Sequence, residues 1–124
     1  PETRRLLRQI AHKAKTIVGF DTHLGRVTAL AEMQDNLETP LSLSEISAVV
    51  ACSPKTLSRR FQAELGSSPG RAYRHLRLTH AHQLLENTRL SISEIGLRTG
   101  YNNPAALSRA FKARFGRVPR QLRQ

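Results

Sequence analysis

The amino-acid sequence contains a duplicated unit. The pattern Leu-Ser-Arg-x-Phe-x-Ala-x-x-Gly-x-x-Pro occurs at residues 57–69 and again at 107–119. Upstream of it, Leu-Ser-Leu-Ser-Glu-Ile at 41–46 is matched by Leu-Ser-Ile-Ser-Glu-Ile at 90–95. Because self-similarity at a fixed spacing is the signature of a repeated structural unit, the sequence predicts two equivalent modules within one chain.

The chain is strongly basic, with a formal net charge of +11 over 124 residues and an isoelectric point near 11.4. Its length allows one domain or two very small ones, and the positive surface favours a polyanionic partner. An acidic protein or an anionic membrane would also fit this charge. A basic unit that occurs twice favours one task at two regularly spaced places, such as successive major grooves of duplex DNA.

The single cysteine, Cys52, excludes a disulfide framework within the chain, so we expect packed apolar faces to stabilise it in a reducing compartment. No apolar run is long enough to cross a bilayer, and the first residues lack the apolar core of a secretory signal. These features predict a cytoplasmic protein with no membrane partner. Since the chain starts at Pro1 and then resembles a connector, we expect it to be part of a longer protein.

Residues that could bind a metal or carry catalysis form no recognisable arrangement. His80 and His82 lie two positions apart in a predicted helix, so their side chains point to different sides. Cys52 is interpreted as a half-buried filler rather than a redox sensor. No nucleophile, base and orienting residue occur together. The sequence therefore predicts no metal site, no cofactor and no enzyme.

The spacing of apolar residues predicts an all-α fold. Residues 3–18 predict an amphipathic N-terminal helical arm within a connector placed at residues 1–25. A second helix is expected from about residue 26 and is stopped by Pro40. Its apolar side is expected to comprise Val27, Leu30, Ala31, Met33 or Gln34, and Leu37.

Each copy of the repeat predicts a helix, a tight turn and a second helix. Both first helices begin with the serine and glutamate of a capping box, in the pairs Ser42 with Glu45 and Ser91 with Glu94. Both second helices begin with a capping residue followed by proline, in the pairs Ser53 with Pro54 and Asn103 with Pro104.

The tight turn needs a residue with left-handed backbone, which Gly100 supplies in the second copy. The first copy has Ala51 instead. If both turns have the same geometry, we expect Ala51 to carry strain of about 1 kcal/mol.

The second helix of each copy is expected to have two faces. Apolar residues every fourth position predict a buried stripe, which comprises Leu57, Phe61 and Leu65 in one copy and Leu107, Phe111 and Phe115 in the other. The opposite face carries Lys55, Arg59 and Gln62 in the first copy, and Ala105, Arg109 and Lys112 in the second. Either face alone could be an ordinary solvated surface, but two at matched positions favour binding.

Between the copies, residues 70–87 predict a long helix with apolar side chains toward both ends. Seventeen or so residues of helix span roughly 25 Å, which is compatible with two recognition helices held about 34 Å apart, one turn of DNA. The predicted segments are a first helix-turn-helix unit at 26–66, a linker helix at 67–89 and a second unit at 90–124.

Characteristic motifs occur in the segments 40–46, 53–61, 66–69, 100–101, 107–112 and 116–123, together with Arg77, Leu78, Ala81, Leu84 and Leu85. Through these residues the chain resembles the DNA-binding domain of AraC/XylS-type transcriptional regulators over about residues 26–123. The amino-acid sequences of 29–38 and 66–73 are most similar to those of the subgroup whose input domain is like class I glutamine amidotransferases. The resemblance implies a seven-helix, homeodomain-like double helix-turn-helix domain that places one helix of each unit in adjacent major grooves.

The resemblance also implies roles for individual residues. Base-reading positions fall on Lys55, Thr56, Ser58 and Arg59, with Gln62 on the same face, and on Asn103, Pro104, Ala105, Ala106 and Arg109. Candidate phosphate contacts are Ser53, Arg60, Ser108 and Lys112. Since lysine and arginine can donate to guanine whereas alanine offers only methyl contact, we expect the first unit to carry more of the sequence specificity.

The function predicted in this way is sequence-specific regulation of transcription on double-stranded promoter DNA, with activation through RNA polymerase and a bacterial, nucleoid-associated location. In this family dimerisation and ligand sensing belong to another domain, so the resemblance implies a monomeric fragment of a parent that can dimerise. Two other classes are retained: a nonspecific DNA-architectural protein and a helical adaptor for an acidic protein.

Overall fold

Seven α-helices and no strand make up residues 23–123, the part of the chain that this computed structural model describes. The helices are α1 (His23–Asp35), α2 (Leu43–Val49), α3 (Pro54–Leu65), α4 (Pro69–Asn87), α5 (Ile92–Arg98), α6 (Pro104–Phe115) and α7 (Pro119–Arg123). The all-α prediction is confirmed, as are the two second helices and the long helix between the copies. The arm expected at residues 3–18 lies outside the described residues.

The chain divides into two units. Among the described residues, the first comprises 23–36 and 41–73, and the second comprises 37–40 and 74–123. Helix α4 is continuous across the boundary, since it contributes Pro69–Tyr73 to the first unit and the rest of its length to the second. Each unit contains one copy of the repeat.

The first unit packs α1 against α2 and α2 against α3. Its buried apolar side chains are Ala29, Met33, Ile46, Val50, Leu57, Phe61 and Tyr73. The hydroxyl of Tyr73 donates to the carbonyl oxygen of Asn36 and accepts a hydrogen bond of 2.9 Å from the backbone amide of Leu41. Tyr73 thereby ties the end of α1 to the segment that leads into α2.

The buried face of α1 agrees with the predicted one only in part. Met33 and Leu37 are buried as predicted. Thr28, Ala29 and Glu32 are buried as well, whereas Leu30 and Ala31 are only partly buried. Apolar residues occupy several sides of this helix, so the sequence pattern did not select one face. Packing against α2 selects it instead.

The second unit has its own core, formed by side chains of α4, α5 and α6. The core residues are Leu78, Ala81, Leu85, Ile95, Leu107 and Phe111. The guanidinium of Arg123 donates to the carbonyl oxygens of Leu85 and Thr88, both at 3.1 Å, and to that of Leu90. These bonds attach α7 to the C-terminal end of α4 and satisfy carbonyls that a helix end leaves free.

No helix within residues 23–123 has the length and apolar character needed to cross a bilayer.

Candidate nucleic-acid interface

The first helix of each copy begins at a serine cap. Ser42 forms the complete capping box, because its Oγ accepts from the amide of Glu45 at 3.1 Å and the Glu45 carboxylate accepts from the amide of Ser42 at 2.9 Å. In the second copy Ser91 Oγ accepts from the amide of Glu94 at 3.1 Å. The serine half of each predicted box is therefore confirmed, and the glutamate half is seen at Ser42.

Both tight turns have the same backbone geometry. Ala51 has φ 63° and Gly100 has φ 84°, so each adopts the left-handed conformation. The residue that follows donates from its amide to a carbonyl five positions back, Cys52 to Ser47 at 3.0 Å and Tyr101 to Gly96 at 2.8 Å. This is the bond of a Schellman helix end. The left-handed, strained position predicted at Ala51 is confirmed.

Helices α3 and α6 begin and end alike. Ser53 Oγ accepts from the amide of Thr56 at 3.1 Å, and Asn103 Oδ1 accepts from the amide of Ala106 at 2.8 Å. Proline follows each cap, where its missing amide costs no helical bond. Each helix ends at a left-handed glycine, Gly66 with φ 66° and Gly116 with φ 82°. The same local signals therefore fix the length of both helices.

The inner faces of α3 and α6 match. Leu57, Phe61, Leu107 and Phe111 are all 0% exposed. The predicted stripe ends one turn earlier in α3, because Leu65 is 42% exposed. In α6 the corresponding Phe115 is partly buried, since its ring contacts those of Phe111 at 4.6 Å and His82 at 4.9 Å between centroids.

The outer faces carry the predicted site residues within each unit. Exposed positions are Lys55, Arg59 and Gln62 in α3, and Pro104, Ala105, Arg109 and Lys112 in α6, with the caps Ser53 and Asn103 also exposed. Thr56, Ser58, Arg60, Ala106 and Ser108 are half-buried at the edges of these faces. Ser53 and Thr56 also bond to each other, with 3.0 Å between the hydroxyl oxygens. The side-chain oxygens of both caps are thus engaged within the fold.

Arg77 is a positioning residue for which the sequence predicted no individual role. Arg77, on α4, donates from Nε to the carbonyl oxygen of Thr99 at 2.7 Å and from a terminal nitrogen to that of Gly100 at 2.8 Å. Its guanidinium carbon also lies 4.2 Å from the centre of the Tyr101 ring. Arg77 therefore holds the turn that leads into α6. Arg77 is among the residues that carry the family resemblance, but its contact with this turn is visible only in the three-dimensional structure.

Burial raises the pKa of Tyr101 above its ordinary value of 10.0, and the nearby charges of Arg77 and Arg74 oppose this shift. The phenol is thus neutral at physiological pH. Its buried hydroxyl oxygen has no hydrogen-bond partner within residues 23–123.

A second group of contacts supports the back of α6. His82 stacks on Phe111 with the ring centroids 5.9 Å apart, and its Nδ1 lies 2.8 Å from the Glu86 carboxylate. Arg114 Nε donates to His75 Nδ1 at 3.1 Å and lies over the Phe115 ring. These contacts join α4 to α6 and leave the opposite face of α6 exposed. Among the described residues, no group of three or more histidine, cysteine or acidic side chains is arranged to hold a metal ion.

The comparisons with known proteins agree with this geometry. A family model described as a helix-turn-helix domain matches residues 46–124. The transcriptional regulator GlxA of Rhizobium meliloti strain 1021 is 36% identical over 102 residues, which cover 82% of this chain and 32% of GlxA. The chain therefore spans about a third of the length of that relative.

Two solved structures show the same fold. A transcriptional regulator of the AraC type from Chromobacterium violaceum is 38% identical with a TM-score of 0.74, over 77% of this chain and 85% of that one. The DNA-binding domain of AdpA, a global transcriptional factor, was solved in complex with a target DNA. It is 28% identical with a TM-score of 0.74, over 78% of this chain and 87% of that domain.

Proposed function

Because the chain belongs to the AraC-type family of helix-turn-helix transcriptional regulators, we propose that it reads one specific duplex site by inserting α3 and α6 into adjacent major grooves. The chain is the DNA-binding domain of such a regulator, and its partner is double-stranded DNA. One observation supports the mode of reading above all. Both copies present a helix of the same length whose Leu–Phe stripe is buried and whose arginine, Arg59 or Arg109, is exposed on the opposite face.

Base reading is proposed for the outer face of each helix. In α3, Lys55 and Arg59 donate to guanine O6 and N7, Thr56 and Ser58 donate or accept, and Gln62 contacts the same groove. In the second unit, the Ala105 and Ala106 methyl groups contact thymine, and Arg109 donates to guanine. Asn103 and Pro104 lie against the same bases at the start of α6. The first unit then supplies most of the discrimination between sequences.

Phosphate contacts are proposed for the edges of the same faces. Arg60 and Lys112 supply charge, and the hydroxyl of Ser108 supplies a hydrogen bond. At the start of α3, Ser53 presents the helix N-terminus, whose amides and dipole favour an anion. These contacts fix the register of the domain on the duplex without reading its sequence.

The remaining proposals concern the whole protein. The resemblance to AraC/XylS regulators implies activation through contact with RNA polymerase, in a cytoplasmic, nucleoid-associated protein without enzymatic activity. This chain alone is proposed to be a monomer, with dimerisation left to another domain of the parent.

Selection of bound sequences from a random duplex pool, followed by gel shifts at two salt concentrations, tests the proposed function. We expect one enriched motif with two elements about one DNA turn apart, and tighter binding to it than to random duplex. Equal binding to all sequences would indicate the nonspecific architectural alternative. Binding that neither prefers DNA nor weakens with salt would indicate an adaptor for an acidic protein.

A further inference from the structure

The two copies of the repeat share a central arginine in the recognition helix, Arg59 or Arg109, but differ in charge on either side of it. At three positions of α3 that carry a basic or hydroxyl side chain, α6 has alanine. The matched pairs are Lys55 with Ala105, Thr56 with Ala106, and Arg60 with Ala110. Since the N-terminal residues of a recognition helix lie nearest the base edges, α6 has little there with which to read sequence.

The reverse holds after the midpoint of the helix. Neutral or acidic residues of the first copy are replaced by basic ones in the second, in the pairs Gln62 with Lys112, Glu64 with Arg114, Ser67 with Arg117, and Gly70 with Arg120. The balance of charged residues follows the same division. Residues 41–73 contain four basic and two acidic residues, whereas the matched residues 90–123 of the second copy contain seven basic and one acidic residue.

The fold itself does not require Arg117 and Arg120. Both copies leave the recognition helix through a left-handed glycine, and both then bury a proline, Pro69 or Pro119, three residues later. The first copy makes this connection with Ser67 and Gly70 at the positions that Arg117 and Arg120 occupy in the second. The first copy therefore shows that this connection forms without an arginine at either position.

The backbone that carries the two arginines is held in place. The amide of Val118 donates to the side chain of Gln121 at 3.2 Å, and the amide of Gln121 donates to the carbonyl oxygen of Val118 at 3.0 Å. Arg117 and Arg120 are both exposed, as is Lys112 in the last turn of α6. Within residues 23–123, no acidic side chain forms an ion pair with any of these three residues.

We infer that Arg117 and Arg120, together with Lys112, form a phosphate-binding surface that gives the second unit sequence-independent affinity for duplex DNA. We name it the anchoring surface. The inference rests on the proposed function and divides it between the units, since α3 selects the sequence and the second unit supplies much of the attachment. Each phosphate that is neutralised releases counterions, so each contact adds about −0.9 to the slope of log affinity against log salt.

The test compares two double variants of the 124-residue chain that remove the same charge, Arg117→Gln/Arg120→Gln and Lys55→Gln/Arg59→Gln. Fluorescence anisotropy measures binding to the pool-selected duplex and to a random duplex of the same length, between about 50 and 200 mM salt. For Arg117→Gln/Arg120→Gln we expect affinity for both duplexes to fall by about fivefold per lost contact near 0.15 M salt, with a slope shallower by about 2. The ratio between the duplexes stays unchanged. For Lys55→Gln/Arg59→Gln we expect that ratio to collapse.

Three results would overturn the inference. In Arg117→Gln/Arg120→Gln these are an unchanged salt slope, a loss of affinity confined to the selected duplex, or a lower melting temperature with unchanged DNA binding. The last result would mean that the arginines contribute to stability alone. Arg117→Lys/Arg120→Lys keeps the charge and should restore the slope. Failure of the proposed function is a separate result, because the unaltered chain would then fail to discriminate between the two duplexes.

Discussion

Ala51 and Gly100 occupy the same left-handed position in the two turns, but their surroundings differ. Ala51 has a side chain at φ 63°, a conformation that costs an L-residue roughly 1–2 kcal/mol. At Gly100 a Cβ atom would lie 2.7 Å from the Leu37 carbonyl oxygen and 2.8 Å from Pro40 Cγ. Glycine is therefore optional for space at the first turn and required at the second.

Ala51→Gly is expected to leave the melting temperature unchanged or to raise it by a few degrees. Relief of the strained φ offsets the roughly 0.5–1 kcal/mol that glycine loses in backbone entropy on folding. The matched variant Gly100→Ala adds both strain and a clash, so we expect it to lower the melting temperature clearly. Thermal unfolding followed by circular dichroism measures both. A large drop for Ala51→Gly would contradict the matched-turn interpretation.

Arg59→Ala is expected to cost about 1–3 kcal/mol of binding to the selected duplex and to relax preference at one base pair. Its side chain is exposed, opposite the buried Leu57 and Phe61, so the folded state should be unaffected. Competition gel shifts against single-base variants of the site measure the preference. Arg109→Ala is the matched variant in the second unit, and unchanged discrimination in Arg59→Ala would remove this residue from the base-reading set.

Helix α6 is held from behind by two independent sets of contacts. Phe111 is fully buried and contacts the rings of His82 and Phe115. Arg77 holds the turn before the helix through two carbonyl oxygens. Neither side chain lies on the outer face, so both affect DNA binding only through the position of α6.

Phe111→Ala is expected to destabilise the second unit by about 3–5 kcal/mol, because it leaves a cavity where the ring was packed. That is a large part of the roughly 5–15 kcal/mol by which a small domain is stable, so we expect the second unit to unfold. Circular dichroism and thermal melting report the loss. Lys112→Ala, one position along and exposed, should melt within a few degrees of the unaltered chain. An intact melting curve in Phe111→Ala would mean that the buried stripe is misassigned.

Arg77→Gln is expected to lose about 1.5–3 kcal/mol of stability, the range for a hydrogen bond to a charged group. It should also move the pKa of Tyr101 further upward, because the Arg77 charge lowers that pKa. Ultraviolet titration of the tyrosines measures this shift. Arg74→Gln is the control, since it removes a second charge that lowers the Tyr101 pKa but no bond to the turn. If Arg77→Gln lowered the melting temperature but left the pKa of Tyr101 unchanged, the charge of Arg77 would have no effect on this phenol.

Tyr101 also makes the stability of the fold depend on pH in the alkaline range. The folded pKa of Tyr101 lies above the ordinary value of 10.0, so the folded chain binds this proton more tightly than the unfolded chain. The contribution to stability is fully present below pH 10 and is lost as pH rises through the folded pKa.

For the whole domain, the affinity for DNA is expected to depend steeply on salt. If six to eight phosphates are neutralised, log affinity should fall with log salt at a slope of about −5 to −7. Anisotropy titrations of the selected duplex at several salt concentrations measure the slope. The formal net charge of +11 makes a strong electrostatic contribution possible, and a slope near zero would argue against DNA binding.

The sequence predicted most features that depend on neighbours along the chain. Serine, asparagine and proline at helix starts, and glycine at helix ends, gave α3 and α6 nearly residue by residue, since a cap bonds amides only two or three positions away. The repeat predicted the left-handed backbone of Ala51 by comparison with Gly100. The resemblance of the motifs to AraC/XylS regulators predicted the family.

Other features depend on side chains that are distant in sequence. Packing of the helices decided three such features. These are the buried face of α1, the exposure of Leu65, and the bonds from Arg77 to the turn at Thr99. The sequence by itself determined where these helices begin, turn and end, because those signals act through local hydrogen bonds and a fixed helical period. The tertiary structure decided which side chains meet, because packing selects among several apolar faces and brings the Arg77 guanidinium to carbonyls twenty-two and twenty-three positions away.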